Sequence, residues 1–313
     1  MASSPAPATP PVAPPRAGTT SSLRGIVFIV VSAGVFACSD TMTKALAATI
    51  PPVEIAWIRY LTLVMLLLPL VPFSGGLRVL SSQAPRLQFV RGTGMLGSAL
   101  MFMLAIPHLS VADATAIFFI SPILITALSI PFLGEVVGWR RWSAALVGLI
   151  GVIIVIRPGT SAFHPAGLLP LIGAASWSFA AIATRKMSGG DGALTTMLYS
   201  GLIGFTILTV MVPFWFVMPT VAEMALGFAM GALSALGHWL VVLAYRHGKA
   251  SVIAPYGYGQ LIWAGGLSYV AFGSVPDVFT VTGASVIAAS GVYTAYRERV
   301  RAVEEKRHSG RHP

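Results

Sequence analysis

Apolar residues run along this chain in blocks of about twenty, separated by short polar or glycine- and proline-rich punctuation. A helix that crosses the hydrocarbon core of a bilayer needs about 20 mostly apolar residues. Ten stretches meet that length: 24–48, 53–72, 88–107, 111–133, 139–156, 166–186, 193–216, 222–245, 250–273 and 278–297. Their connections carry helix breakers at Pro51-Pro52, Gly75-Gly76, Pro158-Gly159, Gly189-Gly190 and Pro276. The alternating ten-residue segments of a β-barrel are missing from the pattern. The pattern therefore predicts an all-α membrane protein with ten transmembrane helices.

Composition supports this reading. Hydrophobic residues make up 56% of the 313 positions and charged ones only 10%, too few to cover a water-facing surface. The net charge of +10 is topological rather than a nucleic-acid footprint, because no basic face exists apart from the loops. With the N-terminus placed inside, 17 of the 20 basic residues fall on inner segments, and only Lys44, Arg59 and Arg157 lie elsewhere. Both termini are therefore expected in the cytoplasm. The proline-rich residues 1–22 read as a disordered tail rather than a signal peptide. The one cysteine, Cys38, allows no intrachain disulfide and reads as a packing residue.

The chain also repeats. Ser110–Glu135 resembles Lys249–Ser274 at an offset of 139, with a helix-breaking middle in each copy. Glycine- and alanine-rich stretches follow both, from Ser143 and from Thr282. This divides the chain into a tail (1–22), a first repeat (23–157), a second repeat (158–297) and a basic cytoplasmic tail (298–313). Each repeat holds five helices. Five is odd, so the second copy must enter the membrane upside down.

Few residues are able to carry chemistry. The GxGxxG at Gly92, Gly94 and Gly97 opens a helix and lacks the preceding strand of a dinucleotide site, so these glycines read as close-packing positions, as do Gly148/Gly151 and Gly227/Gly231. Asp40, Lys44, Glu54 and Arg59 form a polar cluster in the first two helices. Asp40 lies about 24 Å along helix 1, inside the outer third of the core. Charges at that depth pair or face water, so the cluster is either a structural ion-pair network or a substrate and proton site at the outer mouth. Helix 4 carries Pro122 in its middle beside Phe118 and Phe119. Helix 9 carries Tyr256, Tyr258, Gln260 and Trp263 around Pro255, Gly257 and Gly259. Matched breaks in two halves point to a cavity at the bilayer midplane. Trp177 and His238 are further lining candidates. No metal-ligand spacing and no nucleophile–base arrangement is visible, so neither metal nor cofactor is expected and catalysis is not indicated.

These residues resemble the EamA-domain proteins of the drug/metabolite transporter superfamily over nearly all of 24–297. The resemblance is carried by SDTMTKALA and PPVEIAWIRYL, by SVADATAIFFISPILITALSIPFLGE followed by WRRW and IGVIIVIRPG, and by GSVPDVFTVTGASVIAASGVYTAYRER. Ser274 departs from it, since many second repeats carry an acidic residue there. The resemblance implies a ten-helix inverted-repeat fold, a central cavity and secondary transport without ATP hydrolysis. Members of the family export amino acids and other metabolites or take up riboflavin or S-adenosylmethionine, and the helix 1–2 pattern leans toward the uptake group.

The combined expectation is an alternating-access carrier for a small organic metabolite in a bacterial cytoplasmic membrane. Tyr256, Tyr258, Gln260 and Trp263 would line its cavity with Phe118, Phe119, Trp177 and His238. Asp40, Lys44, Arg59 and Glu54 would form the gate, with Asp40 as the proton-coupling candidate. Membrane lipid is an expected partner, nucleic acid is not, and a homodimer stays open. A channel, a non-transporting scaffold or sensor and, least favoured, a membrane-embedded enzyme are the alternatives.

Overall fold

The computed structural model describes residues 19–74, 76–134, 139–158, 164–187, 191–247 and 254–309. Among these residues there are eleven α-helices and no strand. The first half holds α1 (Thr19–Leu46), α2 (Pro52–Leu67), α3 (Pro85–Ala105), α4 (Val111–Phe118), α5 (Ser121–Leu133) and α6 (Trp139–Ile156). The second holds α7 (Leu168–Lys186), α8 (Ala193–Met211), α9 (Val221–His247), α10 (Gly259–Phe272) and α11 (Val278–Ser309). Seven spans are long and apolar enough to cross a membrane, α4 and α5 counting together as Val111–Leu133. Trp142–Ile156 and Val278–Tyr293 are shorter apolar helices.

Three details differ from the sequence expectation. Helix 4 is not bent but divided: α4 stops at Phe118, a turn follows, and α5 begins with Pro122 in its first turn. Proline fits there because a first-turn N–H has no intrahelical acceptor to lose. α1 already starts at Thr19, inside the expected tail, while residues 1–18 lie outside the described set. The basic segment after 298 is no separate tail as far as Ser309, because α11 continues through it to that residue.

The two halves punctuate alike. α5 ends on Gly134 and α10 on Gly273, 139 residues later, both left-handed at φ 67° and 64°. Glycine suits that cap because a Cβ would be strained there. The helix pairings also match. α1 packs on α9, α3 on α7, α2 on α8 and α9, α3 on α8, α4 on α10 and α6 on α11. α1 also meets α10, while α7 meets α4 and α5. Exchanging α1, α2, α3, α4–α5 and α6 for α7, α8, α9, α10 and α11 maps these pairings onto themselves, whereas α2–α3 and α4–α11 pack without a counterpart of like extent.

Small residues make these pairings possible. A Cβ on Gly151 would lie 2.8 Å from the Gly283 carbonyl, and one on Gly283 would lie 2.6 Å from the Gly151 carbonyl. The backbones of α6 and α11 therefore touch, as small residues allow in membranes. The GxGxxG glycines do similar packing: a Cβ on Gly94 would meet the Ser176 carbonyl of α7 at 2.8 Å. Outward faces are apolar, with Ile262 and Val270 of α10 80% and 81% exposed.

Polar clasps join the connections. Asp191 accepts from Ser82, from the Gln83 amide at 2.8 Å and from Gln88 at 2.7 Å. Partial burial raises its carboxyl, but these hydrogen bonds outweigh burial and hold it below the ordinary value. Arg157 pairs with Asp277, which also caps α11 by accepting from the Thr280 amide at 2.8 Å. Asp113, in the first turn of α4, accepts from Ser110 and from Thr280.

Gly151→Leu is expected to destabilise the α6–α11 pair by about 1–3 kcal/mol, the usual penalty for overpacking. Gly266→Ala is the control, since nothing lies within 4 Å of its Cβ position. Melting temperatures of the detergent-purified variants check this: a large fall for the first and none for the second. Asp277→Ala is expected to cost about 1 kcal/mol through the lost helix cap. Burial raises the Asp277 carboxyl, yet the Thr280 and Arg157 contacts outweigh it and leave the group below its ordinary 3.8. Its contribution is therefore present above pH 3.8 and is lost as pH falls through the folded-state value. The gap between wild type and Asp277→Ala should shrink on acidification, as read by melting at stepped pH.

Candidate functional site

Asp40 is buried on α1, one residue after Ser39. Arg59, from the second turn of α2, approaches the Asp40 carboxylate at 3.8 Å. The same guanidinium donates to Ser234 of α9 at 3.0 Å and to Ser39 at 3.2 Å. Ser39 donates in turn to the Met230 carbonyl of α9 at 3.0 Å. Gln260, in the first turn of α10, donates to the other Asp40 oxygen at 3.3 Å. His238, one turn beyond Ser234, donates through Nδ1 to the Ser234 carbonyl at 2.8 Å and sets its ring edge-on to Phe36 at 4.9 Å. Four helices thus meet around one carboxylate and one guanidinium, and polar side chains meet much of their hydrogen-bonding demand.

The helix breaks bring a second group together. Phe119 stands at the α4–α5 break and Tyr258 at the start of α10, and their rings lie 5.0 Å apart. The two positions are 139 apart, the same offset as the sequence likeness between the halves. Phe118 is edge-on to Phe102 of α3 at 5.9 Å. The Tyr258 hydroxyl occupies space against Gly291, where a Cβ would lie 1.8 Å away, so a side chain on α11 there would displace the phenol ring.

Both groups line a cavity of about 700 Å³. That volume is typical of sites for small organic ligands, which run from about 300 to 1,000 Å³. Of the residues expected to act, Asp40, Arg59, Phe118, Phe119, Trp177, His238, Tyr258 and Gln260 line it. Four do not. Tyr256 and Trp263 are 45% and 48% exposed, and Trp263 lies against Gly34 at the α1–α10 contact. Tyr258 and Gln260 face inward, so the helical turn carries Tyr256 and Trp263 to other faces. Lys44 donates to the carbonyls of Leu109 at 2.6 Å and Ile106 at 3.4 Å, where a cation suits the carbonyl end of α3. Glu54 is buried and accepts from the Val217 amide at 3.0 Å, which ties the α8–α9 connection to α2.

Other lining residues escape a reading of the sequence. Arg91 and Arg185 count only as inner-side cations near the ends of their expected spans, yet both line the cavity. Thr115, Ser98, Phe36 and Tyr60 line it too. The available signal is a face of α3: Arg91, Met95, Ser98, Ala99 and Phe102 follow helical spacing. Among the described residues no group of three or more metal-ligating side chains gathers.

Comparisons with known proteins agree with this architecture. Residues 23–157 match the EamA-like transporter family. The chain is similar to the S-adenosylmethionine uptake transporter of Rickettsia prowazekii, at 27% identity over 88% of this chain and 94% of that one. It is similar to the pseudopaline exporter of Pseudomonas aeruginosa, at 27% identity over 84% and 93%. It is also similar to the riboflavin transporter of Vibrio cholerae, at 26% identity over 91% and 97%. A solved crystal structure superposes with a TM-score of 0.62 at 18% identity, covering 89% of this chain and 97% of that one, which is a likeness of fold. The apolar helices make this a multi-pass membrane protein. The segment that supplies Asp40, Arg59, Arg91 and the divided fourth span is the part of the chain that matches the EamA-like transporter family.

Proposed function

We propose that this protein is a secondary transporter that moves a small organic metabolite across a bacterial cytoplasmic membrane by alternating access. The observation that carries the reading is the cavity: about 700 Å³ of space between apolar helices, yet lined by Asp40, Arg59, His238, Gln260 and the tilted Phe119–Tyr258 ring pair. Buried charge and hydrogen-bonding groups in membrane helices mark a solute path. Broken helices at matched places in two halves mark a binding site. The relatives named for S-adenosylmethionine, pseudopaline and riboflavin supply the candidate class, small organic metabolites.

The proposed architecture is ten crossings in two inverted repeats, 23–157 and 158–297, with both termini cytoplasmic. Contacts between connections support it. On an alternating ten-crossing path, the α2–α3 and α7–α8 connections share a side, and Asp191 joins them to Ser82 and Gln83. The α6–α7 and α10–α11 connections share the other side and are joined by Arg157 and Asp277. Glu54 and Val217 meet on that second side as well. The exchange symmetry of the helix pairings supports the repeat.

Asp40 is the proposed coupling carboxylate. It is buried, it faces the cavity and it is held by Arg59 and Gln260 from different helices. A change in its charge would therefore alter contacts between α1, α2 and α10, the elements that must separate in a rocking motion. Lys44 and Glu54 hold the outer connections together and belong to the proposed gate through that structural role. Tyr256 and Trp263 remain proposed only as helix-packing residues.

A melting scan of the purified protein against S-adenosylmethionine, riboflavin, amino acids and purines tests the solute class. A bound solute at one hundred times its Kd stabilises the folded state by about 2.7 kcal/mol. A saturable rise for one class, abolished in Tyr258→Ala, is expected; a panel without any rise counts against solute binding in this cavity. In proteoliposomes loaded with the responding solute, counterflow should saturate, whereas linear flux would indicate a channel. Asp40→Asn should slow flux at least tenfold and flatten its pH dependence. An unchanged pH profile removes Asp40 from coupling.

A further inference from the structure

The charges that line the cavity are unequally compensated. The Asp40 carboxylate is met by Arg59 at 3.8 Å and by the Gln260 amide at 3.3 Å. Arg91 has no such partner. Its Nε donates to the Thr184 hydroxyl at 2.8 Å. One Nη donates to the Thr196 carbonyl at 2.9 Å and to the Ser200 hydroxyl. All three partners are neutral, and among the described residues no carboxylate stands within ion-pair reach of Arg91. A guanidinium keeps its charge at physiological pH, and a charge taken out of water calls for a counter-charge.

The surroundings of Arg91 suit a ligand that supplies one. Arg91 lines the cavity, and Met95, Ser98, Ala99 and Phe102 continue the same face of α3. Eleven residues of helix separate Arg91 from Phe102, roughly 16 Å at 1.5 Å per residue. At the Phe102 end the walls are aromatic, through Phe118 and the tilted Phe119–Tyr258 pair. The Thr115 hydroxyl lies in a lining residue only 2% exposed and has no hydrogen-bond partner among the described residues. A buried hydroxyl without a partner is rare in folded proteins and points to a ligand or solvent that completes it. The cavity therefore has a cationic end with spare charge and an aromatic end with a spare hydroxyl.

We infer that Arg91 seats the carboxylate of the transported solute, and that the solute carries a carboxylate at one end and a flat ring at the other. Guanidinium and carboxylate match as a planar two-point pair, which fixes orientation as well as charge. The ring then lies along the α3 face toward Phe102 and Phe118. This rests on the reading of the cavity as the solute site.

The test uses the full chain in detergent and two matched probe pairs: indole-3-acetate against tryptamine, and 3-phenylpropionate against 3-phenylpropylamine. Melting is followed as each probe is raised in concentration. The acids should raise the melting temperature saturably, and the amines should not. Arg91→Gln should weaken the acids at least tenfold, while Arg91→Lys, which keeps the charge and loses the planar fork, should retain part of the effect. Melting without ligand and the elution profile report folding; if Arg91→Gln does not fold, the comparison rests on Arg91→Lys, whose acid affinity must then fall severalfold. Amines that match or exceed the acids, or an acid response that survives Arg91→Gln unchanged, would overturn the inference. Solute counterflow that persists in Arg91→Gln would leave the transport reading standing and remove this one. The absence of any shift from all four probes, together with the absence of counterflow, removes both.

Discussion

The Arg59 guanidinium sits where water is scarce, and its need for partners organises the helices around it. It reaches Asp40 and Ser39 on α1 and Ser234 on α9. Ser39 carries the network to the α9 backbone, and Gln260 brings in α10. Removing one member of such a network leaves another buried polar group without a partner, which costs more than the bond itself contributes. The same contacts that hold four helices together also form the wall of the cavity. Binding and architecture therefore depend on a single set of hydrogen bonds, and a ligand that disturbs one member is felt by several helices.

Close packing supplies the complementary constraint. Lipid tails are as apolar as leucine, so membrane helices gain little from hiding apolar surface and rely on van der Waals contact. The reciprocal approach of Gly151 and Gly283 brings α6 and α11 into backbone contact, and Gly94 does the same for α3 and α7. Against these tight seams, the divided fourth span and the short turn before α10 leave space. The chain is dense where it is glycine-rich and smooth, and open where proline and glycine interrupt the helices. The repeat places its two interruptions face to face, as the Phe119–Tyr258 contact records. A cavity between repeat-related breaks can open toward either side by similar motions, which is what alternating access demands.

The polar residues of the first two helices divide by depth and direction rather than by type. Asp40 and Arg59 face inward and line the cavity. Lys44, one turn from Asp40, turns to the carbonyl end of α3, and Glu54 turns to the Val217 amide. Four charges that look like one cluster in sequence are one ion pair and two clasps. The reverse holds at the other end, where Arg91 looks like a loop cation and is a cavity wall. Inward and outward faces of a helix alternate every two residues or so, which is finer than hydropathy can resolve.

By itself, the sequence determined the solvent and the class of fold. Long apolar blocks cannot be satisfied by water, and their backbone groups must bond within each segment, so helices in lipid follow directly. It also carried a likeness between its halves, in prolines, glycines and aromatics placed 139 residues apart. It located Asp40, Arg59, Phe118, Phe119, Tyr258 and Gln260, since charge and helix breakers are conspicuous in an apolar background. What only the tertiary structure decided is which of these side chains share a space. Tyr256 and Tyr258 are identical in kind and two residues apart, yet only the second lines the cavity. That choice depends on the rotation of α10 against α1 and α11, and rotation is set by contacts between separate helices, such as Gln260 with Asp40, 220 residues away, and the Tyr258 hydroxyl against Gly291, that no local pattern encodes.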